Sequence, residues 1–378
     1  MTLKRRRIFL FTLLGAASLF FLLEGNLLKN PRTLLESEDS FVILARAVNI
    51  IKSEYIEEPA PRRTMEGAFK GLINSLDICS GYLDKNNTEK YKRLYGKSAY
   101  ETGLILYKTR DSFPVIIGIK ENSPAKKHGL ELGETIGAIN GNSTLEMSMT
   151  ELNLAQKSDK PGPLLIKVLK RNKDEEVNIK RETIYKSFYT FEPDRGPGGL
   201  IQIHAFFSPL TEEIKKKVVS QISNEKNPLI IDLRYCHEGT LQEAREFINL
   251  FMQKKNIGYI KTKENKKEPV QCLNQALIPK IPLIIWTNQS TIGASESVAS
   301  ILKKYKDAKI IGSKTPGLMS VKTLITLKDQ SSIVLTTGIF HPYSKADSWH
   351  QGINPDIALK EKDSNSYLKA TLNSLSEI

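Results

Sequence analysis

Cysteine is scarce: the 378 residues hold three, Cys79, Cys236 and Cys272. Their separations fit neither a disulfide framework nor a zinc cluster, so at most one disulfide forms and the fold does not rest on it. Aromatic residues make up 8% of the chain, and none are interleaved with the lysine-rich stretches as base-stacking platforms, which excludes nucleic-acid binding. No internal repeat or low-complexity tract is present, and only one long apolar run occurs. Wholesale disorder, collagen and a multi-span membrane protein are thereby excluded. What remains is a globular composition, 40% hydrophobic and 26% charged, long enough for two or three domains. The net charge of +13 is less telling than it looks, because four of the charges are Lys4, Arg5, Arg6 and Arg7. The rest is spread over faces that also carry acids, as in Lys215-Lys216-Lys217 after Glu212-Glu213.

The apolar run Ile8 to Leu23 directly follows the basic cluster. That pairing marks an export signal or a signal anchor rather than a buried helix. Its end, Leu22-Leu23-Glu24-Gly25-Asn26, lacks the small residues of a cleavage site, and no cysteine is placed for lipid attachment. An uncleaved anchor is expected over 1–25, with the chain from about Asn26 onward outside the cytoplasm.

Apolar residues at near-helical spacing from Asp39 to Tyr55 predict an amphipathic helix, ended by Pro59 and Pro61. Thr64 is placed to cap a second helix through Met65, Phe69 and Leu72. From about Tyr100, short strands alternate with glycine turns, among them Asn140-Gly141, a type I′ signal. A Pro/Gly linker, Asp194 to Gly198, precedes the apolar strands Leu229 to Leu233 and Pro282 to Trp286, each followed by a helical pattern. Strands buried on both faces and alternating with helices argue an α/β domain.

These landmarks resemble the carboxyl-terminal processing peptidases, or tail-specific proteases, over about residues 38–357. The matching stretches are Glu66 to Leu72, Ser123-Pro124-Ala125 with Gly129 to Glu134, Asp232-Leu233-Arg234, Asn288 to Glu296, Gly312 to Thr315, and Gly352 to Ile357. The resemblance implies an α+β multidomain chain: an anchor over 1–25, a linker and helical dimerisation region over 26–95, a PDZ-like β module over 96–185, an α/β peptidase core of the crotonase-like type over 186–360, and a tail over 361–378. It implies no cofactor, and His204, His341 and His350 show no metal-ligand spacing.

In that family a serine on a strand-to-helix turn attacks, and a lysine takes its proton. Such a lysine must be desolvated so that a neutral amine exists near pH 7. Here the nucleophile position is Gly293 and the base position, 25 residues on, is Leu318; a third position, usually glutamine, is Lys322. The oxyanion segment reads Asp232 to Gly239, and Glu238 replaces a glycine beside Gly239, with Ala294 following the nucleophile position. A carboxylate there repels a developing oxyanion.

Four departures in three segments point to a peptidase fold without hydrolysis, acting as a tail-binding or regulatory partner. The competing reading is an active serine peptidase with a relocated dyad built from Ser290, Ser295, Ser297 or Lys314. Against Ser295, two helical residues rotate its side chain about 200° from position 293. Cys236 and His237 are neighbours whose side chains point apart on an extended backbone. The carboxylate-binding loop of the PDZ-like module resembles Glu101-Thr102-Gly103-Leu104, so Thr102, Gly103 and Leu104 are the candidate peptide-binding residues and Glu101 the departure. The expected partners are protein C-terminal tails, a second copy or an active relative through the amino-terminal helices, and the membrane through the anchor.

Overall fold

A computed structural model of the chain describes residues 31–57, 61–222, 227–273, 275–278, 280–342, 350–359 and 363–376. The chain divides between Gly67 and Ala68. Helix α1 (Pro31–Glu54) lies in the first unit, and α2 (Pro61–Asn74) runs across the boundary. The second helix thus starts at Pro61 rather than after Thr64; proline suits a first helical position because its missing N–H has no intrahelical partner there. The expected anchor, Ile8 to Leu23, lies outside the described residues, and no helix among them is long and apolar enough to cross a membrane.

In the second unit, β1 (Gly81–Leu83) and α3 (Lys85–Leu94) lead into a small β-rich module. It comprises β2 (Leu104–Tyr107), β3 (Val115–Ile119), α4 (Pro124–Lys127), β4 (Thr135–Ile139), β5 (Asn142–Ser143), α5 (Met149–Gln156), β6 (Gly162–Leu169) and β7 (Glu175–Arg181). The sheet order is β2-β3-β4-β6-β7, with β5 on β4. Asn140 and Gly141 have φ of 48° and 78°, the two positive values that a type I′ turn requires. Helix α5 is fixed at its start by a capping box between Ser148 and Glu151, and it drives Leu152 into a core with Ile136, Leu164 and Ile166.

The remaining elements are β8 (Tyr189–Glu192), β9 (Leu200–Ile203), α6 (Leu210–Lys217), β10 (Leu229–Asp232), α7 (Leu241–Ile248), β11 (Lys255–Lys261), β12 (Lys267–Cys272), β13 (Leu283–Thr287), α8 (Ala294–Lys306), β14 (Lys309–Gly312), β15 (Ser320–Thr326), β16 (Ser332–Pro342), β17 (Ile357–Ala358) and α9 (Ser364–Ser376). One sheet runs β17-β14-β13-β10-β9-β8, parallel except for β8. A second runs β1-β16-β11-β12, with β15 paired to β16.

Alternation along the parallel strands feeds two cores. Leu229, Ile231 and Ile285 join Phe247 and Val298 on one face, and Ile230, Ile284 and Trp286 meet Tyr367 on the other. The second face is covered by α9, so Ser364–Ser376, within the segment expected as a tail over 361–378, is a helix of the fold. Tyr367 donates its hydroxyl hydrogen to the Thr287 carbonyl at 2.8 Å, and Trp286 Nε1 donates to Thr371 Oγ1 at 2.9 Å. Beside them Arg234 pairs with Asp232 at 2.7 Å, with its guanidinium 5.0 Å from the Trp286 ring and 4.5 Å from that of Tyr367. A buried arginine is tolerable only with such a partner set, because an unpaired charge there would be strongly destabilising.

Candidate active site

Adjacent parallel strands release their following loops at one edge, and ligands of open α/β sheets bind beyond the carboxyl ends of the strands. Neighbouring β10, β13 and β14 release the segments Leu233 to Gly239, Asn288 to Gly293 and Ser313 to Leu318 at that edge. Three stretches far apart in sequence are thereby brought to one place.

Gly293 makes the turn from β13 into α8, with φ 71° and ψ −112°. A Cβ built there would meet one atom within 4 Å, the Leu318 carbonyl oxygen at 3.5 Å. The turn expected to carry the nucleophile thus has open space where a side chain would stand. Behind it lies Glu296, fully buried. Its carboxylate accepts from the N–H of Gly293 at 2.9 Å, Gly317 at 2.6 Å and Leu318 at 2.8 Å, and from Thr315 Oγ1 at 2.6 Å. Burial pushes its pKa up, opposed by those hydrogen bonds. This one side chain holds the turn against the loop that carries Leu318.

Gly293, Ala294 and Leu318 line a cleft of about 490 Å³, with Glu238, Gly239 and Lys322 also on its walls. Leu318 is 3% exposed, so its site is dry enough to depress a lysine, and it holds a leucine. Gly239 has φ 143°, and a Cβ there would lie 2.7 Å from the Phe206 carbonyl oxygen, a close approach that demands glycine. Glu238 pairs with Lys157, which follows α5. Burial alone would raise the Glu238 pKa, but Lys157 above all, then His237 and Lys120, hold it down to about 2. The carboxylate is therefore charged across the neutral pH range.

Comparison with known proteins adds three findings. Residues 198–359 match the family described as Peptidase family S41. The carboxy-terminal processing protease CtpA of Bacillus subtilis is 26% identical over 361 residues, 94% of this chain and 77% of that protein. A Staphylococcus aureus protein named "Probable CtpA-like serine protease" is 26% identical over 313 residues, and the match spans 82% of this chain but 63% of that relative. Over residues 198–359 the chain is similar to Peptidase family S41, and over most of its length to carboxy-terminal processing proteases. The solved photosystem II D1 C-terminal processing protease shares the fold, with TM-score 0.69 and 17% identity over 86% of this chain and 90% of that one.

Within this family frame, the serines near the nucleophile position are all committed elsewhere. Ser290 Oγ donates to the Ile117 carbonyl at 3.1 Å, Ser295 Oγ to the Cys236 carbonyl at 2.7 Å, and Ser297 Oγ to the Gly293 carbonyl at 3.2 Å. All three are buried and none lines the cleft. Lys314 is exposed and also absent from its walls. His237 lines the cleft while Cys236 is buried outside it, and burial above all raises the thiol pKa, so the two do not form a nucleophile and base.

The candidate peptide-binding loop is filled from within. Glu101 neither faces solvent nor guards the loop; it turns inward to Lys120 at 2.7 Å, and although burial opposes it, Lys120 lowers its pKa. Thr102 is fully buried and its hydroxyl bonds Gln156 Oε1 at 3.1 Å and lies 3.4 Å from the Leu104 N–H. Gly103 has φ 85°, and a Cβ there would strike Ser123. Thr102, Gly103 and Leu104 lie away from the large cleft.

Several cleft residues escaped sequence reading: Tyr91 in α3, Tyr95 just after it, Cys79, Phe207 and Lys157. A signal existed for Lys157, since a glutamate in place of the oxyanion glycine needs a counter-ion. The sequence did not say which of many lysines supplies it.

Proposed function

We propose that the chain is a non-hydrolysing member of the carboxyl-terminal processing peptidases that acts as a peptide-tail-binding or regulatory partner. The carrying observation is Gly293 on the nucleophile turn opposite Leu318. Peptide hydrolysis by this family's route needs a hydroxyl to attack and a desolvated amine to accept its proton, and neither position carries one. Glu238 adds to the reading, since its charge stands where negative charge would develop on a scissile carbonyl. The commitment of Ser290, Ser295 and Ser297 to buried carbonyls speaks against a relocated dyad.

The tails are those of proteins, by analogy with relatives named for carboxy-terminal processing, and the β2–β7 module is a PDZ-like domain that receives them once the Thr102 to Leu104 loop opens. Pairing with a second copy or an active relative runs through the amino-terminal helices. The basic cluster and Ile8 to Leu23 anchor the chain in the cell membrane, with its bulk outside the cytoplasm.

The test is intact-mass analysis of a disordered protein ending in an apolar tail, incubated with the wild type or with a variant carrying Gly293→Ser, Leu318→Lys, Lys322→Gln and Glu238→Gly. The wild type is expected to leave the substrate whole and the variant to cleave it about 10²-fold faster or more. Equal cleavage by both would overturn the proposal and send the search to another nucleophile.

A further inference from the structure

The walls of the large cleft carry four lysines, Lys92, Lys97, Lys157 and Lys322, against one acid, Glu238. Lys157 is taken up by Glu238. Lys92, Lys97 and Lys322 are exposed and make no ion pair among the described residues. Asp77 is bonded to the Thr336 that faces Lys322 across the ladder, but its carboxylate is already held by the N–H groups of Cys79 and Ser80, both at 2.7 Å.

The strand register fixes how two of these cations are spaced. Along β15, Lys322, Leu324 and Thr326 alternate onto one face, opposite Thr336, Val334 and Ser332 of β16. Leu324 and Val334 line the cleft, so this is the face turned toward it. Ser332 Oγ donates to Thr326 Oγ1 at 3.2 Å, which keeps the last pair on the same side. Lys92 comes across from α3 and donates to that same Thr326 Oγ1 at 3.1 Å. One lysine therefore stands at the start of the row and another reaches its end, four residues or about 13 Å along the strand. Between them Leu324 packs on an apolar cluster of Leu83, Leu94, Leu154 and Val334.

Two unpaired cations flanking an apolar floor in a concave site call for a ligand of the inverse pattern. We propose, resting on the reading of the chain as a tail-binding protein, that the cleft selects acidic tails: two carboxylate side chains four residues apart with an apolar residue midway, lying extended along β15. An extended peptide advances about 13 Å over four residues, as β15 itself does, so each carboxylate meets a lysine while the middle side chain meets Leu324. The pattern is the same in either chain direction. Lys97, just beyond α3, adds a third cation to the same cleft. A simple polyanion offers nothing to Leu324 and Val334, which separates it from this ligand.

Fluorescence anisotropy of short labelled peptides with the full chain in neutral detergent tests this. A peptide with Glu-Ala-Leu-Ala-Glu at its centre is expected to bind about tenfold tighter than its Gln-Ala-Leu-Ala-Gln counterpart, and the gain to vanish at about 1 M salt. Lys322→Glu should weaken the acidic peptide about tenfold. In that variant, replacing one or the other of the peptide's glutamates by lysine should recover the loss, while the same peptide binds the wild type less well. Lys92→Glu is an independent swap with the same expected result. Equal binding of the acidic and neutral peptides overturns the inference and leaves tail binding standing. Equal binding of a peptide with adjacent glutamates, or with serine in place of the central leucine, also overturns it, since the cleft would then be a charged patch only. If no peptide binds, one with an apolar tail included, the tail-binding reading falls and the inference falls with it.

Discussion

The junction around Glu296 and the segment around Glu238 both place a carboxylate at the cleft, but they hold it by different means. Glu296 is dry and surrounded by neutral donors from its own α/β core. Glu238 is half-buried and faces the ammonium of Lys157, which belongs to the β2–β7 module. The first arrangement fixes the turn at Gly293 against the loop that carries Leu318. The second puts a charge on the wall of the cleft and ties two parts of the molecule together with it. The two are held independently: the turn keeps its shape because Glu296 is structural to the sheet edge.

Glu296→Ala is the most damaging way to break this comparison. It strips the buried N–H groups of Gly293, Gly317 and Leu318 of their acceptor, and should lower the unfolding free energy in urea by about 3–5 kcal/mol. Glu238→Gln should cost less, about 2 kcal/mol, because Lys157 is left partly buried with a neutral neighbour. Replacing Glu238 and Lys157 together by leucine and methionine should restore most of that loss.

The two carboxylates also differ in the sign of their pH dependence. Glu238 is held below its ordinary 4.5, so its contribution is present above pH 4.5 and lost as pH falls toward about 2. Glu296 is raised above 4.5, so its contribution is fully present below pH 4.5 and is lost as pH rises through its folded value. Acid titration of stability for Glu238→Gln and Glu296→Gln against wild type should therefore give difference curves of opposite slope. The smallest expected effect is that of Gly293→Ala: with ordinary contact to the Leu318 carbonyl alone, it costs only the strain of a positive φ, about 1 kcal/mol.

Much of the fold was legible where local chemistry is unambiguous. The apolar runs at Leu229 and Leu283 became β10 and β13, and Asn140-Gly141 became the expected turn. The three loop segments were joined into one site by the family resemblance, and the strand pattern marked the runs before the first two. What stayed hidden depends on partners distant in sequence. Lys157 reaches Glu238 only through the docking of one module on another, and β11 and β12, rich in lysine, carry no apolar alternation to announce them. Helix α9 has few apolar residues, and its role follows from the sheet it covers rather than from its own pattern. The partner of Glu101 was hidden too, because Lys120 is brought beside it by the β2–β3 pairing.

The cover that α9 supplies also sets the order in which the chain can mature. Ile230, Ile284 and Trp286 lie on strands made before the helix that shields them. Until it arrives, the central sheet has one finished face and one bare apolar face, the kind of surface that recruits holding chaperones. That face of the peptidase-like core is thus closed only when α9 arrives, and variants that weaken the seat of Tyr367 should appear first as losses of yield during synthesis.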